Sequence, residues 1–373
     1  GFTEELLRKG LLYESNQKIS FKFDCFRAFF LANKLADSVE ALAKVLTPLS
    51  ISSYTTELDL LTGLHRDRKD ILISARDCCR KLLAESEFEV DISLFESHGS
   101  EQGIFNQSES LTKMEDDFLN TPIDDNHRAR FIEEAEVPSK ASIDHDHARQ
   151  RHPSTPLSSQ MHFIGALKAY SNILRNSELI DDVELKKQCL NDVLTMWSKI
   201  IVSTTKYFHE INPDDFPDDL PPELEFLSPE QFKSFIRLMI PQLISSLMAE
   251  SLATPKLENF ILAETNNPSQ CIRFLSTMLT IENLNRASIQ AICKLIKEAS
   301  ANNIVTQAVF IRLLTLYYFE APSNSLESIR DCIGDAFNAL RGSSSSERSV
   351  YKGQFLRHID EKRAKTLGDL EKD

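Results

Sequence analysis

The sequence predicts an all-α protein with one small β element near its N-terminus, its helices paired as antiparallel hairpins in a solenoid-like helical array. Three observations carry this. Glycine is scarce at 10 of 373 residues, about 3% against an average near 7%, which leaves few positions for the tight turns of a β-sandwich. Apolar residues recur at helical spacing through most of the chain. Ser228-Pro229-Glu230-Gln231 is a clear helix start, with serine as N-cap, proline at the first helical position and glutamine placed for a capping box.

Taken in order, Leu6, Leu7, Leu11 and Leu12 mark an amphipathic helix over Thr3–Tyr13. Asn16 is a turn residue, and Ile19-Ser20-Phe21-Lys22-Phe23 alternates as a short strand. Asp24 is placed to cap a second helix carrying Phe26, Phe29, Phe30 and Leu31. Helix, turn, strand and helix make the tail of a winged-helix-like unit, so residues 1–36 are expected to be the end of a domain that the chain enters midway.

Residues 37–93 read as a helical module with three stripes. The first is Leu42, Val45, Leu46 and Leu49, ending near Pro48. The second is Tyr54, Leu58, Leu61 and Leu64, and the third Ile71, Ile73, Ala75, Cys78, Cys79, Leu82 and Leu83. Residues 94–160 turn polar and carry Pro122, Pro138, Pro153 and Pro156, the composition of a flexible insertion or linker. Weak helical patterns run over Glu109–Leu119 and His127–Ala135.

The helical signal returns over 161–342, expected to form an array with a sensing or interaction role. Phe163, Leu167, Tyr170 and Leu174 form one face, and Leu185, Cys189, Val193, Trp197, Ile200, Ile201, Thr204 and Phe208 another. The helix after Ser228 is expected to bury Phe232, Phe235, Ile236, Met239, Leu243 and Leu247 and to kink at Pro241. Four more helices follow at 268–280, 286–299, 303–319 and 325–340, the last with Leu326, Ile329, Ile333, Phe337 and Leu340 on one face. No repeated residue motif names a repeat class. Residues 343–373 are expected as a charged terminal helix, solvated because Arg348, Lys352, Arg357, Lys362, Arg363 and Lys365 circle it.

Composition excludes several functions. Lys and Arg total 42 against 56 Asp and Glu, so 42 − 56 gives a net charge of −14, without the basic footprint of a nucleic-acid or anionic-membrane binder. The longest apolar region, 232–252, carries Lys233, Arg237, Pro241 and Glu250, so no membrane span is expected. There is no P-loop, G-x-G-x-x-G, G-x-S-x-G or H-E-x-x-H motif, and no catalytic residue or cofactor is assigned. Asp144-His145-Asp146-His147, with His152 nearby, has metal-ligand residue types but not the spacing of a zinc site, and reads as solvated linker. Asp214-Asp215 and Asp218-Asp219 lack the glycine and terminal glutamate of a calcium loop and read as an acidic turn. The seven cysteines are expected as free thiols in a reducing cytoplasm, with Cys78 and Cys79 buried. Trp197 and most of the 23 phenylalanines are expected in the core.

The segment from Phe21 to Ala32, Phe-Lys-Phe-Asp-Cys-Phe-Arg-Ala-Phe-Phe-Leu-Ala, resembles the end of the winged-helix domain in STAND-type NTPases of the NACHT-like group. There an F-x-H strand leads into a helix reading roughly F-x-x-Y-F-x-A. Phe21, Phe26, Phe29, Phe30 and Ala32 fall on those positions, and Phe23 stands where the family has its nucleotide-approaching histidine. The segments Tyr54–Leu58 and Gly63–Arg66 are similar to the helices that continue such proteins. The resemblance covers about the first 85 residues. It implies the C-terminal part of a signalling ATPase, as in bacterial antiviral defence. The partners it implies are the NTPase core of the same parent chain and a protein or other macromolecular trigger, with oligomerisation on activation. With Phe23 in place of histidine, direct nucleotide sensing is not expected of this strand. A stand-alone helical-repeat scaffold is the alternative, and a divergent all-α enzyme a third.

Overall fold

The computed structural model describes residues 2–15, 18–88, 90–93, 95, 159–210, 229–281, 286–298, 303–320, 325–341 and 345–370. Helix α1 (Phe2–Arg8) stops earlier than its leucines suggest. Gly10 has φ +70°, and the Leu11 and Gly10 amides donate to the Leu6 and Leu7 carbonyls at 3.0 Å each. This pair of bonds around a left-handed glycine is a Schellman stop. It turns Leu12 and Tyr13, expected in the helix, into strand β1 (Leu12–Ser15). Strand β2 (Lys18–Phe21) pairs with it antiparallel, Leu12 opposite Phe21 and Ser15 opposite Lys18. The expected strand thus ends at Phe21 instead of Phe23. Phe23 is extended at the head of α2 (Asp24–Asp37), where no side chain caps the helix, so Asp24 is its first residue and not its cap.

The remaining helices follow from their apolar stripes. They are α3 (Val39–Val45), α4 (Thr55–Leu64), α5 (Lys69–Ala84), α6 (Ser159–Arg175), α7 (Val183–Glu210) and α8 (Pro229–Leu252). Beyond these lie α9 (Glu258–Glu264), α10 (Gln270–Ile281), α11 (Arg286–Glu298), α12 (Asn303–Thr315), α13 (Leu326–Arg341) and α14 (Ser345–Leu370). A 3₁₀ turn, Ile51–Tyr54, precedes α4, and a π turn, Leu316–Glu320, prolongs α12.

The packing is an all-α helical array. Helix α2 lies on α4, α4 on α6, α6 on α8 and α8 on α12, while α5 packs on α6 and α7 packs on both α6 and α8. Ion pairs fix the direction of stacking. Asp59 meets Arg175, Arg66 meets Glu178, Lys69 meets Asp182, and Arg76 and Arg80 both reach Asp192. Residues of the α4–α5 pair therefore meet those of α6–α7 in the same chain order, as successive hairpins of a solenoid do.

Residues 96–158, which include both weak helical patterns of the expected insertion, lie outside the described residues. The helices on either side of them share one contiguous core running from Ala32 to Ile359. Phe88 packs on Phe163 with ring centroids 5.6 Å apart, and Phe95, placed by composition in the polar stretch, packs on Phe274 at 6.2 Å.

Most predicted stripes are buried, including Phe163, Leu167, Tyr170 and Leu174 on α6 and Ile329, Ile333, Phe337 and Leu340 on α13. Leu49 and Leu64 are exposed where their stripes run out at helix ends, and Ile73 is exposed beside the buried face of α5. Leu243 is 59% exposed, because α8 buries the i, i+4 row Ile240, Ile244, Met248 and Leu252 instead. That helix is continuous through Pro241. Its N-cap Ser228 lies outside the described residues.

Helix α6 approaches the 3₁₀ turn too closely for any side chain at Gly165. A Cβ there would stand 2.8 Å from the Ser52 Cβ. Alanine is the better helix former by about 1 kcal/mol, whereas overpacking costs ~1–3 kcal/mol. Gly165→Ala is therefore expected to lower stability, read as the urea midpoint by circular dichroism. A raised midpoint would show that the turn yields.

Candidate interaction surface

The N-terminal unit presents an aromatic face. Phe21 at the end of β2 stacks on Phe30 of α2 at 5.5 Å, Phe29 meets Phe30 edge-on at 5.7 Å, and Phe23 meets Phe26 at 5.9 Å. Ile19, Phe23, Phe29 and Phe30 are exposed by 49%, 38%, 43% and 40%. Clustered exposure of this kind marks an interaction site more often than scattered apolar residues do. Of the positions singled out in the sequence, Phe21 and Phe26 are half-buried and Ala32 is fully buried. The helix thus divides the motif between two faces. Ala28, Ala32 and Leu35 pack inward, while Phe29 and Phe30 face out.

Besides this apolar packing, a charge pair that periodicity did not reveal joins α2 to α4. The Arg27 guanidinium donates to Glu57 of α4 at 3.0 Å, and the Glu57 side chain is 1% exposed. Arg27 also reaches Asp24 at 3.3 Å. A glutamate inside an apolar stripe, beside Leu58 and one turn before Leu61, was the available signal.

The terminal helix is a correction to the sequence reading. Helix α14 is not solvated all round: Leu356 and Ile359 are buried, and Phe355 stacks on Phe337 at 4.2 Å with 2° between ring planes. Its charges are used in docking. Arg330 of α13 grips Asp360 with bonds of 2.8 and 3.0 Å, the Tyr317 hydroxyl donates to the same carboxylate at 2.7 Å, and Arg363 donates to the Tyr317 carbonyl at 2.7 Å. Burial and the adjacent Asp360 push the Tyr317 hydroxyl up to about 12. Burial also works against charge on Asp360, but the Arg330 and Tyr317 hydrogen bonds outweigh it and hold the carboxyl below its ordinary value. This contribution is therefore complete above the unfolded carboxylate value near 3.9 and is lost as pH falls through the lower folded value. Acid below about pH 4 is expected to loosen α14 first, seen as faster protease cleavage within 345–370 than within α6.

Cysteine placement also departs from expectation. Cys293 of α11 and Cys332 of α13 form a disulfide, since facing helices bring their Cα atoms to 5.9 Å. Cys25, Cys78, Cys79, Cys189 and Cys271 are free. Cys78 and Cys79 are buried as expected, and burial raises both thiols above their ordinary value. Trp197 is buried, its indole N–H donating to the Ser171 hydroxyl at 3.2 Å. The histidine cluster 144–152 and the acidic turn 212–222 lie outside the described residues. Among the described residues no group of three or more His, Cys, Asp or Glu is arranged to hold a metal, and no helix is long and apolar enough to cross a membrane.

No family model, curated protein or solved structure matches this chain.

Proposed function

We propose that this chain is a non-catalytic sensor and regulatory region of a STAND-like NTPase. In this reading the aromatic face seats the NTPase core of the parent chain, and the array binds a macromolecular trigger in the cytoplasm, controlling a switch of the kind used in bacterial antiviral defence. The observation that supports it most is the exposed set Ile19, Phe23, Phe29 and Phe30. A strand pair and one helix present these residues as half of an apolar core, which an ordinary end cap would have covered. Phe29 and Phe30 are also among the residues that resemble the NTPase family's winged-helix end, and Phe23 stands where that family has its histidine. A trigger acts as a switch only if it binds one state of the whole protein more tightly than the other.

The coding DNA upstream is the first test. An in-frame G-x-x-x-x-G-K-[ST] segment within a few hundred codons is expected, and its product should be retained by this chain but not by the Phe23→Ser/Phe30→Ser variant. A start codon directly before Phe2 would end this reading. The stacking of α2, α4, α6, α8 and α12 in one row supports the second reading, a free-standing helical-repeat scaffold. That reading predicts partner capture unaffected by the two phenylalanine changes.

A further inference from the structure

We propose that Cys293 and Cys332 form a reversible thiol–disulfide clip that governs how firmly the terminal helix α14 sits on the array. The inference does not depend on what the array binds. The two cysteines are 39 residues apart, on helices that pack directly against each other, with a Cα separation of 5.9 Å. That separation lies inside the usual disulfide span of about 4.4–6.8 Å, so the pair closes without moving the backbone. Cys332 is buried, whereas Cys293 is only partly buried and is the member of the pair nearer to solvent. The other buried described cysteines, Cys78, Cys79, Cys189 and Cys271, are unpaired, which leaves this pair as the described site where exchange has a structural consequence.

The consequence follows from what else α13 carries. Arg330, two residues before Cys332, grips Asp360 of α14. Asp335, three residues after it, accepts from Lys352 of α14 at 2.6 Å. The Lys352 side chain lies across Gly334, and Phe337 stacks on Phe355. The anchors that α13 gives α14 thus span Arg330 to Phe337, with the clip among them, and Tyr317 of the π turn adds a further one. Tying α13 to α11 removes motions of α13 that would part these anchors, and opening the clip restores them.

The chemistry balances with a disulfide oxidant such as glutathione disulfide. The sulfur–sulfur bond of the oxidant breaks as the Cys293–Cys332 bond forms. Two electrons pass from the protein to the oxidant, and the two thiol protons leave on two molecules of glutathione. Excess glutathione runs the exchange in reverse.

The test compares the full chain, carrying Cys25→Ser to remove the exposed thiol, in oxidising and reducing glutathione buffers. Peptide mapping should find a 293–332 crosslink only under oxidising conditions. Amide exchange across 345–370 should be about tenfold faster after reduction, with α4 to α6 unchanged, and Cys293→Ser should exchange at the reduced rate in both buffers. Absence of the crosslink at every glutathione ratio overturns the proposal. So does a crosslink that forms while exchange in α14 stays constant. Should Cys293→Ser fail to fold, the two-buffer comparison on the Cys25→Ser chain still decides.

Discussion

Arg27→Met is expected to lower the unfolding free energy by about 3 kcal/mol, far more than loss of a surface charge. The exposed pair Lys44–Glu40, at 2.9 Å, has a comparable distance but is worth only ~0.3–0.5 kcal/mol, because water already solvates both ends. Glu57 differs in being almost wholly buried, so removing Arg27 strands its charge among apolar neighbours. The estimate sits at the low end of measured values because the Arg27 end of the pair still meets solvent. Replacing both ends, as Arg27→Met/Glu57→Leu, should recover most of the loss, since neither charge then has to be desolvated. Urea unfolding of the two single variants and the double gives the coupling directly. A single-variant loss below about 1 kcal/mol would mean that water reaches Glu57 and that the pair does not seat α2. The result bears on function, because α2 carries the aromatic face and leans on α4 through this contact.

Trp197→Ala is expected to cost about 3–5 kcal/mol, the largest effect of any single truncation considered. The side chain is fully buried where α7 meets α6, and its indole N–H donates to Ser171, whose hydroxyl donates onward to the Leu167 carbonyl at 2.8 Å. Trp197→Phe separates the two contributions. It keeps most of the apolar area and gives up the hydrogen bond, worth ~0.5–1.5 kcal/mol net. A small loss for phenylalanine beside a large one for alanine would show that burial dominates. Equal losses would instead make the Ser171 bond the anchor. Because Trp197 is the sole tryptophan, its fluorescence in the unaltered protein reports this junction alone, while the variants are followed by circular dichroism.

Much of the architecture was legible in the sequence for a local reason. A helix that buries one face must repeat its apolar residues every three or four positions, and α6, α7 and α13 do so almost without interruption. The aromatic motif from Phe21 to Ala32 was legible too, as residues if not as a surface. Its partition into an inward Ala32 and an outward Phe29 and Phe30 came from α4 packing on one side of α2 alone. The missed strand β1 had a local signal in Gly10, outweighed by four leucines at helical spacing. On α8 two apolar rows, one through Leu243 and one through Ile244, were equally periodic.

The sequence by itself determined that the chain is helical, where most of its helices lie, and that no familiar nucleotide or catalytic motif is present. Only the tertiary structure decided which row of α8 is buried, that Glu57 faces Arg27, that Cys293 meets Cys332, and that α14 docks through its charges. It also decided that helices on either side of residues 96–158 stack as neighbours, joined by pairs such as Arg175–Asp59 that lie 116 residues apart. The physical reason is range. Periodicity records which face of a helix avoids water, whereas the identity of the covering neighbour depends on contacts between residues far apart in the chain, which no local pattern encodes.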